Sequence, residues 1–161
     1  MSHLLRFERA RARYSLLVAK WYAEETARRG YGYGLVDIAP STLHALEQAV
    51  VRSQLTHKPF PVWKGGSTDT VFPDAHHNYM FRYLHDHEHV QLHMTLSVED
   101  ERLLGMRWAW RVLGATGDED TALVAQLDTL GQTNYYAEHG RFPAPQIDWV
   151  REQFRDNVLS R

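Results

Sequence analysis

The sequence predicts an all-α fold: a single-domain bundle of about five or six helices, with a long irregular loop between the second and the third. Three observations carry this. Apolar residues recur at helical spacing through most of the 161 residues. Glycine, proline and capping residues cut that pattern into segments of helical length. Strand signals are confined to Leu35-Val36-Asp37-Ile38 and Val62-Trp63.

Residues 3–29 read as the first helix. Phe7, Tyr14 and Trp21 recur every seven residues and form a stripe with Ala10 and Leu17, and Gly30 ends it. The second helix starts near Pro40-Ser41, with Ser41 as the expected cap, and carries Leu43, Leu46, Val50, Gln54 and His57 along one face. Lys58-Pro59-Phe60-Pro61 breaks it. Residues 58–73 hold three prolines and Gly65-Gly66, which predicts a long irregular connection of the kind that often serves function. Asp74 caps a third helix expected over 75–96. Ser97 caps a fourth, which has an acidic first turn and the apolar positions Leu103, Leu104, Trp108 and Val112. The loop from Gly117 to Asp120 leads into a fifth, built on Leu123, Leu127, Leu130 and Asn134 and closed by Gly140. Pro143 and Pro145 open a sixth with Ile147, Val150, Phe154 and Val158.

Composition narrows the function. With 43% hydrophobic residues the chain has material for a core. It contains no cysteine, which removes disulfides, thiolate metal sites, iron–sulfur clusters and cysteine nucleophiles. Any metal must be held by His, Asp, Glu or Asn. No stretch approaches the ~20 apolar residues that span a bilayer, and the first residues do not read as a signal peptide. The expectation is a cytoplasmic protein with no membrane partner. The serines lack the setting of a nucleophile elbow, and no phosphate-binding glycine pattern occurs.

Six of the ten histidines fall between His76 and His93. On a helical wheel at roughly 100° per residue, Asn78, Arg82, His85, Asp86, His89 and His93 share an arc of about 100°. A solvated stripe of that width is ordinary, but such stripes favour Lys, Glu and Gln, whereas this one uses weak helix formers. The arc therefore reads as a site for a divalent metal (Zn, Mn, Fe or Ni), with His85, Asp86 and His89 as ligands. A further ligand should come from another element; His57, His77, Glu101, Asp128 and Glu138 are the candidates. Arg82, with Asn78 beside it, would hold a small anionic substrate, and Glu88 or His93 would act as general base.

The segment Met80-Phe81-Arg82-Tyr83-Leu84-His85-Asp86 resembles the apolar helix ending in His-Asp of the HD-type metal-dependent phosphohydrolases. That resemblance implies an all-α hydrolase acting on a phosphate-type substrate, with an earlier histidine (His57) and a later aspartate (Asp128) completing the metal site. The small residue and the Lys that follow His-Asp in that family are absent. Asp74-Ala75-His76-His77 and Asp86-His87-Glu88-His89 have the carboxylate-x-x-His spacing of the ferritin-type di-iron bundles. Both lie on one helix and cannot face each other, so a mononuclear site is expected. A non-haem iron protein remains one form of it.

Two further readings use other features. Arg6, Arg9, Arg13, Lys20 and Arg28 line one face of the first helix, and residues 1–29 hold seven Arg or Lys against three Glu. That face suits nucleic-acid phosphates in a non-catalytic nucleic-acid- or protein-binding module, with the histidines forming only a polar network. It also suits a homo-oligomer in which the acidic remainder of a second copy meets the basic helix.

Overall fold

The computed structural model describes residues 2–160. In chain order the elements are α1 (His3–Arg29), β1 (Tyr33–Val36), α2 (Leu43–Thr56), β2 (Phe60–Trp63), α3 (Ala75–Leu92), α4 (Val98–Thr116), α5 (Glu119–Gln126), a π-helical turn (Leu127–Gly131), α6 (Gln132–His139) and α7 (Gln146–Leu159). Because α5, the π turn and α6 run on without a break, the described residues form six continuous helices, a helical bundle with almost no strand. No helix among them is long and apolar enough to cross a membrane.

The predicted boundaries correspond to real caps. Gly30 ends α1 at φ 78°, where a residue without a Cβ is favoured. The Asp74 carboxylate accepts from the His77 amide (3.0 Å), and the Ser97 hydroxyl from the Asp100 amide (3.2 Å). At α2 the cap is Thr42, whose hydroxyl accepts from Ala45, and not Ser41 one residue earlier.

The chain divides into two compact units. One contains, of the described residues, 2–17, 69–73 and 97–160. Its core is the apolar stripe of α1 (Phe7, Ala10 and Tyr14) with Leu104, Trp108 and Val112 of α4 and Phe154 of α7. The rings of Phe7 and Phe154 meet edge to face, with centroids 5.5 Å apart. Gly105 allows close approach of the π turn: a Cβ there would stand 2.7 Å from the Leu130 nitrogen. The Thr129 hydroxyl bonds the carbonyls of Ala125 (2.8 Å) and Gly105 (3.3 Å) at the same place.

The other unit contains residues 18–68 and 74–96. Here the expected irregular loop 58–73 is partly a strand. Residues 60–63 pair in parallel with β1, in register Tyr33↔Phe60 to Val36↔Trp63, and α2 is the crossover. Both predicted strand segments overlap this pair. The prolines were legible as helix breakers, but a two-stranded sheet is all edge and tolerates Pro61. Gly34 lets the chains meet, since a Cβ there would lie 2.8 Å from the Pro59 side chain. Residues 64–74 remain without regular structure.

α3 buries an unusual face in this unit: Asn78, Tyr83, Leu84, His87, Glu88 and His89. His87 is enclosed by the rings of Tyr83 (4.2 Å), Phe60 (4.4 Å) and Tyr31 (5.8 Å). Its Nδ1–H donates to the Tyr83 carbonyl (2.7 Å), and its Nε2 accepts from the Tyr31 hydroxyl (3.2 Å). Burial lowers its pKa from 6.5 to about 4, so the ring is neutral at neutral pH. The unfolded chain protonates this ring near 6.5 and the folded chain does not until about 4. Its contribution to stability is therefore complete above 6.5 and is lost as pH falls toward 4, by at most about 3 kcal/mol. Urea unfolding midpoints measured from pH 7.5 to 4.5 should fall over that window, and His87→Gln should flatten this part of the profile.

Candidate metal centre

α3 is the element that carries the site. Its polar arc divides into two parts with different work. The N-terminal part holds the segment that follows β2. The Arg82 guanidinium donates to the carbonyls of Trp63 (2.7 Å), Gly65 (2.7 Å) and Gly66 (3.2 Å), and lies 5.1 Å from the centre of the Trp63 ring. Asn78 is buried and its amide donates to the Ser67 hydroxyl (2.8 Å). The Tyr79 hydroxyl donates to the Lys64 carbonyl (2.9 Å). The two residues expected to hold an anionic substrate, Arg82 and Asn78, are thus bonded to a chain segment of the protein itself.

The C-terminal part holds His85 and His89, one turn apart. Their rings sit edge to face with centroids 4.7 Å apart. His89 is fully buried and His85 half-buried. A backbone carbonyl can only accept, so the 3.1 Å contact from His89 Nδ1 to the Met94 carbonyl places the ring proton on Nδ1. Nε2 is then the ring nitrogen that carries no proton. A metal-binding histidine commonly shows this arrangement, with the second ring nitrogen donating to a carbonyl that fixes tautomer and ring orientation. The chain makes the bond by ending α3 at Leu92 and turning back, which also returns the Met94 amide to the His89 carbonyl (3.0 Å).

His85, His89 and Glu101 form a group that can hold a metal ion: each offers one ligand atom, and the three atoms lie within 4.8 Å of one another. No other group of three such side chains occurs among the described residues. Glu101 was one of five candidates for the ligand from another element. It belongs to the first turn of α4, whose start is set by the Ser97 cap.

No protein-family model, curated protein or solved structure matches this chain. The site therefore rests on its own geometry.

The remaining expected residues are placed as follows. Asp86 is half-buried, with a carboxylate oxygen 4.0 Å from His85 Nδ1, beside the group and outside it. Glu88 is buried on the same helix. His93 was expected on the helical arc, but α3 stops short of it. His93 is the left-handed cap (φ 52°), exposed, with Nδ1 3.4 Å from a Glu47 carboxylate oxygen. The wheel position assigned to His93 does not exist, because the helix predicted to reach residue 96 ends four residues earlier. His57 caps α2 in the left-handed conformation and is exposed. Asp128, in the π turn, accepts from the Tyr14 hydroxyl (3.4 Å) and from the Gln132 amide (3.1 Å). Neither His57 nor Asp128 is in the group of three. His77 is bonded to Asp74 (2.9 Å), and Glu138 is exposed.

Glu101 had one sequence signal that could have singled it out. Only residues 93–97 separate α3 from α4, so the first turn of α4 is the next set of helical side chains after the histidines.

Two residues of the basic face of α1 are engaged within the first unit. Arg6 bonds both Asp120 carboxylate oxygens (2.8 and 2.7 Å), and Arg13 pairs with Asp118 (3.1 Å). Arg11, on the adjoining face, donates to the Val71 and Phe72 carbonyls.

Proposed function

We propose that the chain is a metal-dependent hydrolase whose single divalent ion is bound by His85, His89 and Glu101. The observation that carries this is the convergence of two histidine ring nitrogens and one carboxylate oxygen within 4.8 Å, with the His89 tautomer fixed by Met94. Two imidazoles and one carboxylate are a donor set that zinc enzymes use with a position left for water. A bound divalent ion lowers the pKa of that water to about 7, which supplies a nucleophile at neutral pH. Asp86, adjacent to His85, and the buried Glu88 are the carboxylates of α3 that would serve as general base. Arg82 and Asn78 serve in this reading as anchors for residues 63–67, and the substrate is bound by other groups.

The same donor set also suits iron(II) in non-haem sites that keep open positions, which makes a non-haem iron protein the second reading. A nucleic-acid-binding module is less supported, since Arg6 and Arg13 are occupied by Asp120 and Asp118.

Elemental analysis of protein purified without chelator tests the proposal. One equivalent of a divalent metal per chain is expected, removable by dialysis against a chelator and restored by Zn, Mn, Fe or Ni. A preparation with no metal that takes up none of the four would overturn it. Iron as the only metal restored would select the second reading.

A further inference from the structure

His93 meets the metal centre through its backbone and not through its ring. The ring is exposed, and its Nδ1 lies 3.4 Å from a Glu47 carboxylate oxygen on α2. The main chain is held in the left-handed region, at φ 52° and ψ 39°. That region is uncommon for a residue with a Cβ. Histidine, asparagine and aspartate enter it several times more often than most, and a β-branched residue there is an outlier.

The turn at His93 makes three bonds in succession. The His93 amide donates to the Val90 carbonyl (3.3 Å), the Met94 amide donates to the His89 carbonyl (3.0 Å), and the Met94 carbonyl accepts from His89 Nδ1 (3.1 Å). Only the last reaches the site. In a helix that ran on, the carbonyl of residue 94 would point along the axis toward the next turn, away from a side chain five positions earlier. The left-handed step reverses the chain and brings that carbonyl back to the His89 ring. A neutral imidazole can carry its proton on either nitrogen, and the Met94 carbonyl makes the choice. With the proton on Nδ1, the lone pair that can bind a metal is on Nε2. We propose that His93 is a positioning residue of the metal centre: its left-handed backbone sets the Met94 carbonyl, which fixes the His89 tautomer and so raises affinity for the divalent ion. This rests on the metal-binding reading above and adds to it a residue that neither holds the ion nor moves a proton.

Two readouts on the full chain test it. Ring-nitrogen NMR of the metal-free protein at mildly alkaline pH, where imidazoles are neutral, reports which His89 nitrogen carries the proton, and calorimetric titration with zinc reports affinity. The His89 signals are those lost in His89→Ala. The parent should carry the proton on Nδ1. His93→Val, which disfavours the left-handed region, should give a mixture of tautomers and bind zinc about 10–100-fold more weakly, the loss that follows removal of an outer partner at a metal site. His93→Gly and His93→Asn accept that region and should keep both the parent's tautomer and its zinc affinity. Circular dichroism should match the parent throughout; should His93→Val not fold, His93→Ala is read in its place, with a smaller loss in the same direction. A His93→Val protein that is less stable but keeps tautomer and affinity would overturn the proposal. So would loss of affinity in His93→Gly, which would assign the effect to the ring. A parent that takes up no zinc, manganese, iron or nickel brings down the function proposed above and the role of His93 with it, whereas a parent that binds and a His93→Val that binds equally well bring down the role of His93 alone.

Discussion

His89→Ala should lower affinity for a divalent metal at least ~100-fold while leaving the helix content near that of the parent. Loss of an outer partner alone costs 10–100-fold at typical metal sites, and His89 is proposed as a direct ligand. The most direct readout is thermal. A metal at about 100 times its dissociation constant stabilises the folded chain by about 2.7 kcal/mol, which for a protein of this size raises Tm by roughly 5–11 °C. The parent should gain that shift with zinc, and His89→Ala should not. His89 is fully buried, so its removal also leaves a cavity and lowers the metal-free Tm. Glu101→Gln separates the two effects. It keeps nearly the same shape and removes the negative charge, so it should leave the metal-free Tm within a few degrees and still lose most of the zinc shift. If Glu101→Gln retains the full zinc response, Glu101 is not a ligand. If His89→Ala retains it, the proposed centre is wrong as a whole.

The contrast between what was legible on α3 and what was not has a physical basis. Caps were readable because they are local: Asp74, Ser97 and Gly140 act on backbone groups three or four residues away. The pairing of His85 with His89 was readable because the two are one turn apart on any helix. The end of α3 was not, since no glycine marks it. His93 takes the left-handed conformation itself, and the end is held by bonds from its amide and from Met94 back to Val90 and His89. The burial of His87 and Glu88 was hidden for another reason. Their neighbours in space, Tyr31 and Phe60 for His87, are 27 to 56 residues away in sequence and lie on elements whose pairing depends on the β1–β2 register. The sequence also does not show that the Trp63, Gly65 and Gly66 carbonyls come to Arg82 and the Ser67 hydroxyl to Asn78. The π turn at Leu127–Gly131 left no local mark either; it lies where Gly105 admits the Leu130 backbone, a contact 25 residues apart in the chain.

Trp108→Ala should be the most destabilising single change in the first unit, by about 4 kcal/mol, because removing a fully buried tryptophan forfeits its transfer energy and leaves a cavity. For a domain of this length that corresponds to a fall in Tm of roughly 8–16 °C. The side chain contributes more than volume. Its indole N–H donates to the Tyr14 hydroxyl (2.8 Å), which donates in turn to Asp128 (3.4 Å), and Asp128 also accepts from Gln132 (3.1 Å). Tyr14 is itself fully buried, and burial together with the Asp128 charge holds its phenol well above the usual range, so it remains a neutral donor. Trp108→Phe keeps an aromatic ring in the core and removes the indole donor. It should cost about 2 kcal/mol, part from lost area and part from a buried hydroxyl deprived of one partner. Adding Tyr14→Phe to that variant tests the coupling. If the indole–phenol bond matters, the double variant should be more stable than the sum of the two single losses allows, by about 1 kcal/mol in a double-mutant cycle. Strict additivity would mean that Trp108 acts through packing alone, and that the chain from α4 through Tyr14 to the π turn has no energetic continuity.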